Sequence, residues 1–541
     1  MEIDRISFLP KAILHDIIGR LPDKDAARTS VLSKSWSETW FSFPILSACS
    51  ENFFSLARTL PIEHPLWLSK LDIFIGYVGK RLRRLCDQGL AVKELKLNLQ
   101  YRLDRMHVSH HVDQWIQMAA ENGVEVLELH LAASGCMDKW YNLPLCVAEA
   151  KTLTKLVLIG GIRLDPAFLK YSLKFFSMRT LSLSCILFGG EGIMEHFISH
   201  CPLIEHLTLE HLTLNFELYT FRTVWVKSLS LHGLQKLKGV DIKGIQEVYI
   251  DAPNLEDLSY RALATDGSFK LSLDSCTNLR CLSLWHLMSP DKWLLELLYK
   301  NPFLESLMLH NCCSSERINI SGPQLKFFTL SHFYDNLKEV NIDAPNLLSC
   351  DYMGIDKPVI SFQRISDQLE VNAHMHINHR HISRLREFFQ NIKPQKVLAS
   401  LSLFIFEPLS ISESLGILRI SSSPPSIKCV ELCVLWDNEA PYFPFMNWLL
   451  SSCFPESISF SLRSYFKMKA FIVYFYEMLM GSKKGKCDCC SRSFKCWWHG
   501  LKVVKVTYLG RTYENVEDLK AMLDALPEFD AEEFITFGLE L

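Results

Sequence analysis

Several absences narrow the field before any motif is read. The chain has no long uninterrupted apolar run: its strongest tract, Ala470 to Met480, is too short and too mixed to span a bilayer. The amino end, MEIDRISFLPKAILHD, shows no basic stretch followed by an apolar core, so it does not read as a secretory leader. Excess charge of one sign is also missing, with 57 Lys and Arg against 60 Asp and Glu and a formal net charge of −3. That balance encodes no general pull toward nucleic acid or anionic membrane, and neither is expected as a partner. Phosphate-cradling glycine loops, dinucleotide-type glycine motifs and an H-E-x-x-H pair are absent, so no residue is named as catalytic and no cofactor is expected. Cysteine is present at 18 of 541 residues, yet Cys185, Cys201, Cys276, Cys281 and Cys350 stand at apolar repeat positions and read as reduced, packed thiols. The expectation is an intracellular protein, nuclear or cytoplasmic.

What is there begins at Asp4 to Leu46. Leu9, Ile13, Leu14, Ile17, Ile18 and Leu21 recur at three- and four-residue steps and make one apolar helical stripe between Pro10 and Pro22. A second helix opens near Asp25 and buries Ala26, Val31 and Leu32; a third sets Trp36 and Trp40 on one side. Three short helices in about forty residues cannot hide all their apolar surface, and the remainder is covered by the rest of the chain or by a partner.

The order Leu9-Pro10, Ile13-Leu14, Ile17, Leu21-Pro22, Lys24-Asp25, Thr29 to Lys34 and Trp36 resembles the F-box. That resemblance implies docking onto a Skp-type adaptor and through it a cullin, with Leu9, Pro10, Ile13, Leu14, Ile17, Val31, Leu32 and Trp36 as the adaptor contacts. Ser35 departs from the pattern, since Arg often stands before the first Trp.

After a connector over 47–91, an L-x-L strand recurs at residues 95, 127, 156, 181, 207, 229, 282 and 307, with Leu258-Ser259-Tyr260 as a variant copy, the starts lying 22 to 32 residues apart. Longer phrases recur too, as in Cys201-Pro202-Leu203-Ile204-Glu205 and Asn301-Pro302-Phe303-Leu304-Glu305, or Asp251-Ala252-Pro253-Asn254-Leu255 and Asp343-Ala344-Pro345-Asn346-Leu347. The pattern resembles degenerate leucine-rich repeats, which implies stacked units with strands lining the inside of a curved solenoid and helices such as Gly192 to Ser199 and Lys292 to Tyr299 outside. Past about residue 365 the phrase fades into alternating strands and helices, and Cys496 to Val506 resembles the FBD region that closes many plant F-box proteins. The fold class is therefore α/β: a helical F-box over 1–46, the connector, a leucine-rich-repeat solenoid over 92–365, and a C-terminal α/β FBD-like region over 366–541 that continues or caps it.

Cys487, Cys490, Cys496 and His499 offer donors that zinc favours, but their intervening loop is short and two of them belong to the FBD-like phrase, so no metal is expected. His374, His376, His379 and His381 read as a solvated strand-to-helix turn, two of them sharing a strand face. Between and after the leucines, outward positions run from Lys96 and Asn98 through Ser230, His232 and Arg261 to Trp285, Met308 and His310, with few cations among them. Trp285, Met308 and His310 are candidates for holding an unknown protein target, or for packing under the C-terminal segment. The resemblances together imply a non-catalytic, substrate-recruiting subunit of an SCF-type ubiquitin ligase. A repeat scaffold or small-ligand sensor without ubiquitin transfer is the alternative.

Overall fold

A computed structural model describes residues 6, 9–21, 23–50, 65–99, 108–132, 140–217, 222–262, 269–287, 291–312, 315–333, 336–355, 358–377, 385, 388–389, 392, 397–405, 426–434, 445–446, 449–450, 453–461, 472–473, 475–477, 479–480, 501–508, 510–513, 515–525 and 534–540. The chain divides into two compact units, Met1–Leu279 and Arg280–Leu541.

The first unit opens with three helices, α1 (Lys11–Gly19), α2 (Asp23–Thr29) and α3 (Lys34–Phe41). Pro10 sits just before the first turn of α1, where its missing N–H costs nothing. Ser33 caps α3, its hydroxyl accepting from the Trp36 N–H at 3.3 Å. Asp25 does not cap α2; it lies inside that helix and accepts from Arg28 at 2.9 Å. The connector holds one helix, Pro65–Asp87, whose Leu71, Phe74, Val78, Leu82 and Leu85 are buried at three- and four-residue steps. Phe74 meets Trp115 of the next helix, Val108–Glu121, edge-to-face at 6.2 Å.

Three residues after α3, the strand Ile45–Cys49 pairs in parallel with Glu94–Leu99. A parallel ribbon then runs through Val126–Leu131, Lys155–Gly160, Thr180–Ser184, His206–Glu210, Gly239–Lys243 and Asp257–Arg261. In register, Leu95, Leu127, Leu156, Leu181, Leu207, Val240 and Leu258 form one buried row, which is what an L-x-L pattern with every second residue inward requires. Gly160 ends its strand with φ of +97°, and a Cβ there would lie 1.7 Å from the Leu131 carbonyl oxygen.

One expectation about this ribbon is corrected. Leu229-Ser230-Leu231 is a strand, but it belongs to a separate three-stranded outer sheet with Glu247–Ile250 and Lys270–Ser272. The ribbon position falls to Val240-Asp241-Ile242, so Asp241 and Lys243, not Ser230 and His232, face out between Thr208 and Ser259. Alternation marks a strand without saying which layer it joins. The outer layer is accordingly helical at Ile193–Ser199, but β in this stretch.

In the second unit the ribbon strands are Cys281–Trp285, Ser306–His310, Phe327–His332, Ser349–Gly354, Glu370–Ile377, Leu398–Ile405, Ser426–Val434 and Phe454–Ser461, all parallel. Phe534–Glu540 then pairs antiparallel with Phe454–Ser461 and with Val503–Tyr508. Outside lie the helix Asp291–Lys300 and a second three-stranded sheet of Arg317–Ser321, Glu339–Asp343 and Val359–Phe362. The recurring phrases are the turns between these layers. Asn254 donates to the Gln235 carbonyl at 2.8 Å and Asn346 to that of Pro323 at 2.7 Å, while Ala252 and Ala344 are fully buried. Cys201 Sγ and Asn301 Nδ2 each donate to the carbonyl four residues back, closing the helix before the strand.

Of the cysteines read as packed, Cys201, Cys276 and Cys350 are buried, whereas Cys185 and Cys281 are exposed. Burial pushes the Cys201 thiol up to about 12, which keeps it protonated. His374 and His376 stand at alternate positions of one strand; His379, His381, Cys487, Cys490, Cys496 and His499 lie outside the described residues. Among the described residues no group of three or more His, Cys, Asp or Glu is arranged to hold a metal, and no helix is long and apolar enough to cross a membrane.

Candidate functional site

The three N-terminal helices close on Leu14, Ile18, Ala26, Trp36, Trp40 and Phe43, with Leu9, Ile17, Leu21 and Ile45 packed at the edge. This core is small, and the molecule reinforces it from one side. Arg81 of the helix Pro65–Asp87 is 4% exposed; its Nη1 donates to the Trp40 carbonyl and its Nη2 to that of Phe43 at 3.4 Å, while the guanidinium lies 4.3 Å from the Trp40 ring centroid. A cation thereby adds a donor at the Trp40 carbonyl, which also accepts from the Phe43 N–H at 3.2 Å, near the end of α3 where the helix dipole is negative. Burial still holds its pKa down to about 10, well above neutrality, so the charge persists. Arg84 stacks on Phe41 at 3.8 Å. His15, stacked edge-to-face on Phe43 at 5.5 Å, has its pKa lowered chiefly by burial, opposed by its bond to the Thr39 carbonyl. A cleft of about 300 Å³ remains on this seam, lined by Ile18, Leu21, Trp40, Phe43, Leu46 and Arg81 among others.

The eight expected adaptor contacts divide by burial. Leu14 and Trp36 are 1% and 5% exposed, inside the core, so in this fold they support the surface from beneath. Leu9 and Ile17 are partly buried and Pro10 is exposed. Ile13 at 46%, Val31 at 84% and Leu32 at 65% are the large side chains left in solvent; the expectation that α2 buries Val31 and Leu32 does not hold. The reason is local: both sit in the turn after α2, whose backbone is satisfied by short-range bonds from Val31 N to Arg28 O and Leu32 N to Thr29 O. Polar groups closed inward leave the side chains pointing out. No internal partner is demanded of them.

The repeat ribbon supplies a second surface. Trp285 and Met308 stand on adjacent strands, Trp285 opposite His310, and all three are partly exposed. Sequence reasoning reached these three but missed Phe333 and Phe404 and read His376 only as part of a solvated turn, because the spacing of these rings in the chain follows no single period.

The comparisons bear on the domains that carry these surfaces. The family described as "F-box domain" matches residues 6–48, and the family described as "FBD-associated F-box protein At5g56370, LRR repeats" matches residues 112–274. A helical F-box followed by stacked repeats defines the class: the chain carries an F-box and leucine-rich repeats and is similar to plant F-box proteins of the FBD-associated kind. Its Arabidopsis thaliana relatives include "F-box/FBD/LRR-repeat protein At1g78750", 27% identical over 48% of this chain and 52% of that protein. "Putative F-box/LRR-repeat protein At3g59160" is 27% identical over 52% and 62%, and "Putative F-box protein At3g58860" is 30% identical over 48% and 51%. The chain spans between half and two thirds of the length of the curated relatives it matches first.

Proposed function

We propose that this protein is the substrate-recruiting subunit of an SCF-type ubiquitin ligase, the F-box holding a Skp-type adaptor, and through it a cullin, while the repeats hold a protein target. The observation that supports it is the placement of Ile13, Val31 and Leu32 in solvent on a domain that buries six neighbouring side chains well. Burying such a side chain against a partner contributes about 1.5–3 kcal/mol. Pro10, Ile13, Val31 and Leu32 form the contact, Leu9 and Ile17 its margin, and Leu14 and Trp36 hold it in shape. The chain itself makes and breaks no bond. It raises the effective concentration of target lysines near a ubiquitin-charged enzyme carried by other subunits.

Co-purification with a Skp-type adaptor tests this reading. Val31→Asp with Leu32→Asp is expected to lower adaptor affinity at least about a hundredfold, because two carboxylates enter a desolvated patch, with the helical circular dichroism unchanged. Adaptor binding that ignores the double substitution, or is absent from the parent, sinks the proposal.

A further inference from the structure

A run of rings crosses the outward rows of the second unit's ribbon. Trp285 and His310 lie 4.3 Å apart between centroids, His310 and Phe333 5.9 Å, Phe333 and His376 5.4 Å edge-to-face, and His376 stacks on Phe404 at 5.4 Å. Each ring is partly exposed. The stripe reaches from the strand Cys281–Trp285 to the strand Leu398–Ile405. With about 4.8 Å between strands it is roughly 24 Å long, the span of about seven residues of extended chain.

The charge beside it has one sign. Two outward rows cross the ribbon, from Ser283 to Ser457 and from Trp285 to Ser459; they hold Asp351 and Glu431 and no Lys or Arg. Asp351 accepts from Asn372 Nδ2 at 2.8 Å and Glu431 from Ser402 Oγ at 2.7 Å, both neutral donors. No ion pair engages either carboxylate among the described residues, and the cation at the head of one strand, Lys428, is bound by Glu370. The first unit differs. There Glu128 is neutralised by Lys155 at 2.7 Å, and Glu210 and Asp241 share Lys243 at 3.6 and 3.5 Å.

Resting on the reading that the repeats hold a target, we infer that this face takes an extended target segment that is basic and aromatic, its Arg or Lys side chains meeting ring faces, Asp351 and Glu431. Aromatic faces attract cations, and carboxylates that no ion pair engages can take a guanidinium. An acidic or phosphorylated segment would find no cation in these rows and would meet two carboxylates of its own sign. Recognition here is therefore independent of phosphate.

The full chain, co-purified with its adaptor, is probed with an arrayed library of seven-residue peptides in which each position in turn is fixed as Arg, Lys, Phe, Glu or phosphoserine. Arg or Lys together with Phe is expected to be enriched, and Glu and phosphoserine depleted. The selected peptide should bind at least about tenfold more weakly to Trp285→Ala and to Asp351→Asn with Glu431→Gln, and more weakly as salt rises. Enrichment of Glu or phosphoserine, retention of no peptide, or equal binding by the carboxylate double variant overturns the inference. Should that variant melt early, the salt dependence of the parent decides: affinity unmoved by salt counts against it. Adaptor capture in the same preparation separates the two readings. Captured adaptor without basic selection ends this inference alone, whereas a chain that binds no adaptor ends the ligase reading whatever the peptides do.

Discussion

At Cys185, His211, His286 and Asn311 the residue after a ribbon strand is left-handed, with φ between +49° and +57°, and Gly244 takes the same place with φ of +86°. Each N–H extends the ladder by one more bond, as from His211 to the Lys243 carbonyl and from Asn311 to that of Ser331, before the chain turns away. The geometry costs a non-glycine residue on the order of 1 kcal/mol or more. Asn311 offsets it, because its side chain is buried and its Oδ1 accepts from the Phe333 N–H at 2.9 Å. Asn311→Ala keeps the strain and loses the bond, so it is expected to cost about 2 kcal/mol in urea unfolding, and Asn311→Gly less. None of this was legible beforehand. Cys, His, Gly and Asn share no chemistry that a reader of letters would group together, and what unites them is a backbone angle.

At the scale of elements, the starts of several strands are tied to their neighbours by charge as well as by backbone. Glu305 accepts from Arg280 at 3.2 Å and Lys326 at 2.6 Å, and Glu205 likewise takes Arg179 and Lys238. The Lys326 hydrogen bond foremost holds the Glu305 carboxyl below the usual carboxylate range. A group whose pKa is depressed in the folded chain stabilises it above the unfolded value and ceases to as pH falls through the folded one. The parent should therefore melt above Glu305→Gln at neutral pH, and the gap should close as pH drops below about 4; a gap independent of pH would remove the ion pairs from the account. Element by element, the helices of the F-box and most ribbon strands could be read from periodicity, since apolar steps of three, four and two dictate which side faces inward. Val240-Asp241-Ile242, Phe328-Thr329-Leu330 and Cys350-Asp351-Tyr352 escaped because none of them opens on a leucine. Leu229-Ser230-Leu231 misled for the opposite reason, having the right letters in the wrong layer.

For the whole molecule, the readable part was the plan: a box that does not stand alone, then stacked units. The join between them was not. Ile45 and Leu46, counted with the box in the sequence, belong to the ribbon's first strand, and Lys93 donates to the Pro44 carbonyl beside them at 2.9 Å. Deleting residues 1–46 thus cuts an edge strand in two. Lengthening the joint tests what its shortness does. A flexible Gly-Ser insert between Phe43 and Pro44 is expected to leave adaptor capture within about twofold while target ubiquitin transfer falls several-fold, since spacing and orientation set the effective concentration. Transfer unaffected by the insert would count against a fixed geometry.

Arg81 gives that short joint a second meaning. One side chain from residue 81 grips the last carbonyls of α3 and the turn leading into the ribbon, so the box is bolted at two points instead of hinged at one. A torque applied to it by a bound partner would be borne by the Ile45–Cys49 edge, so the box is held as a bracket is, not as a tethered hook.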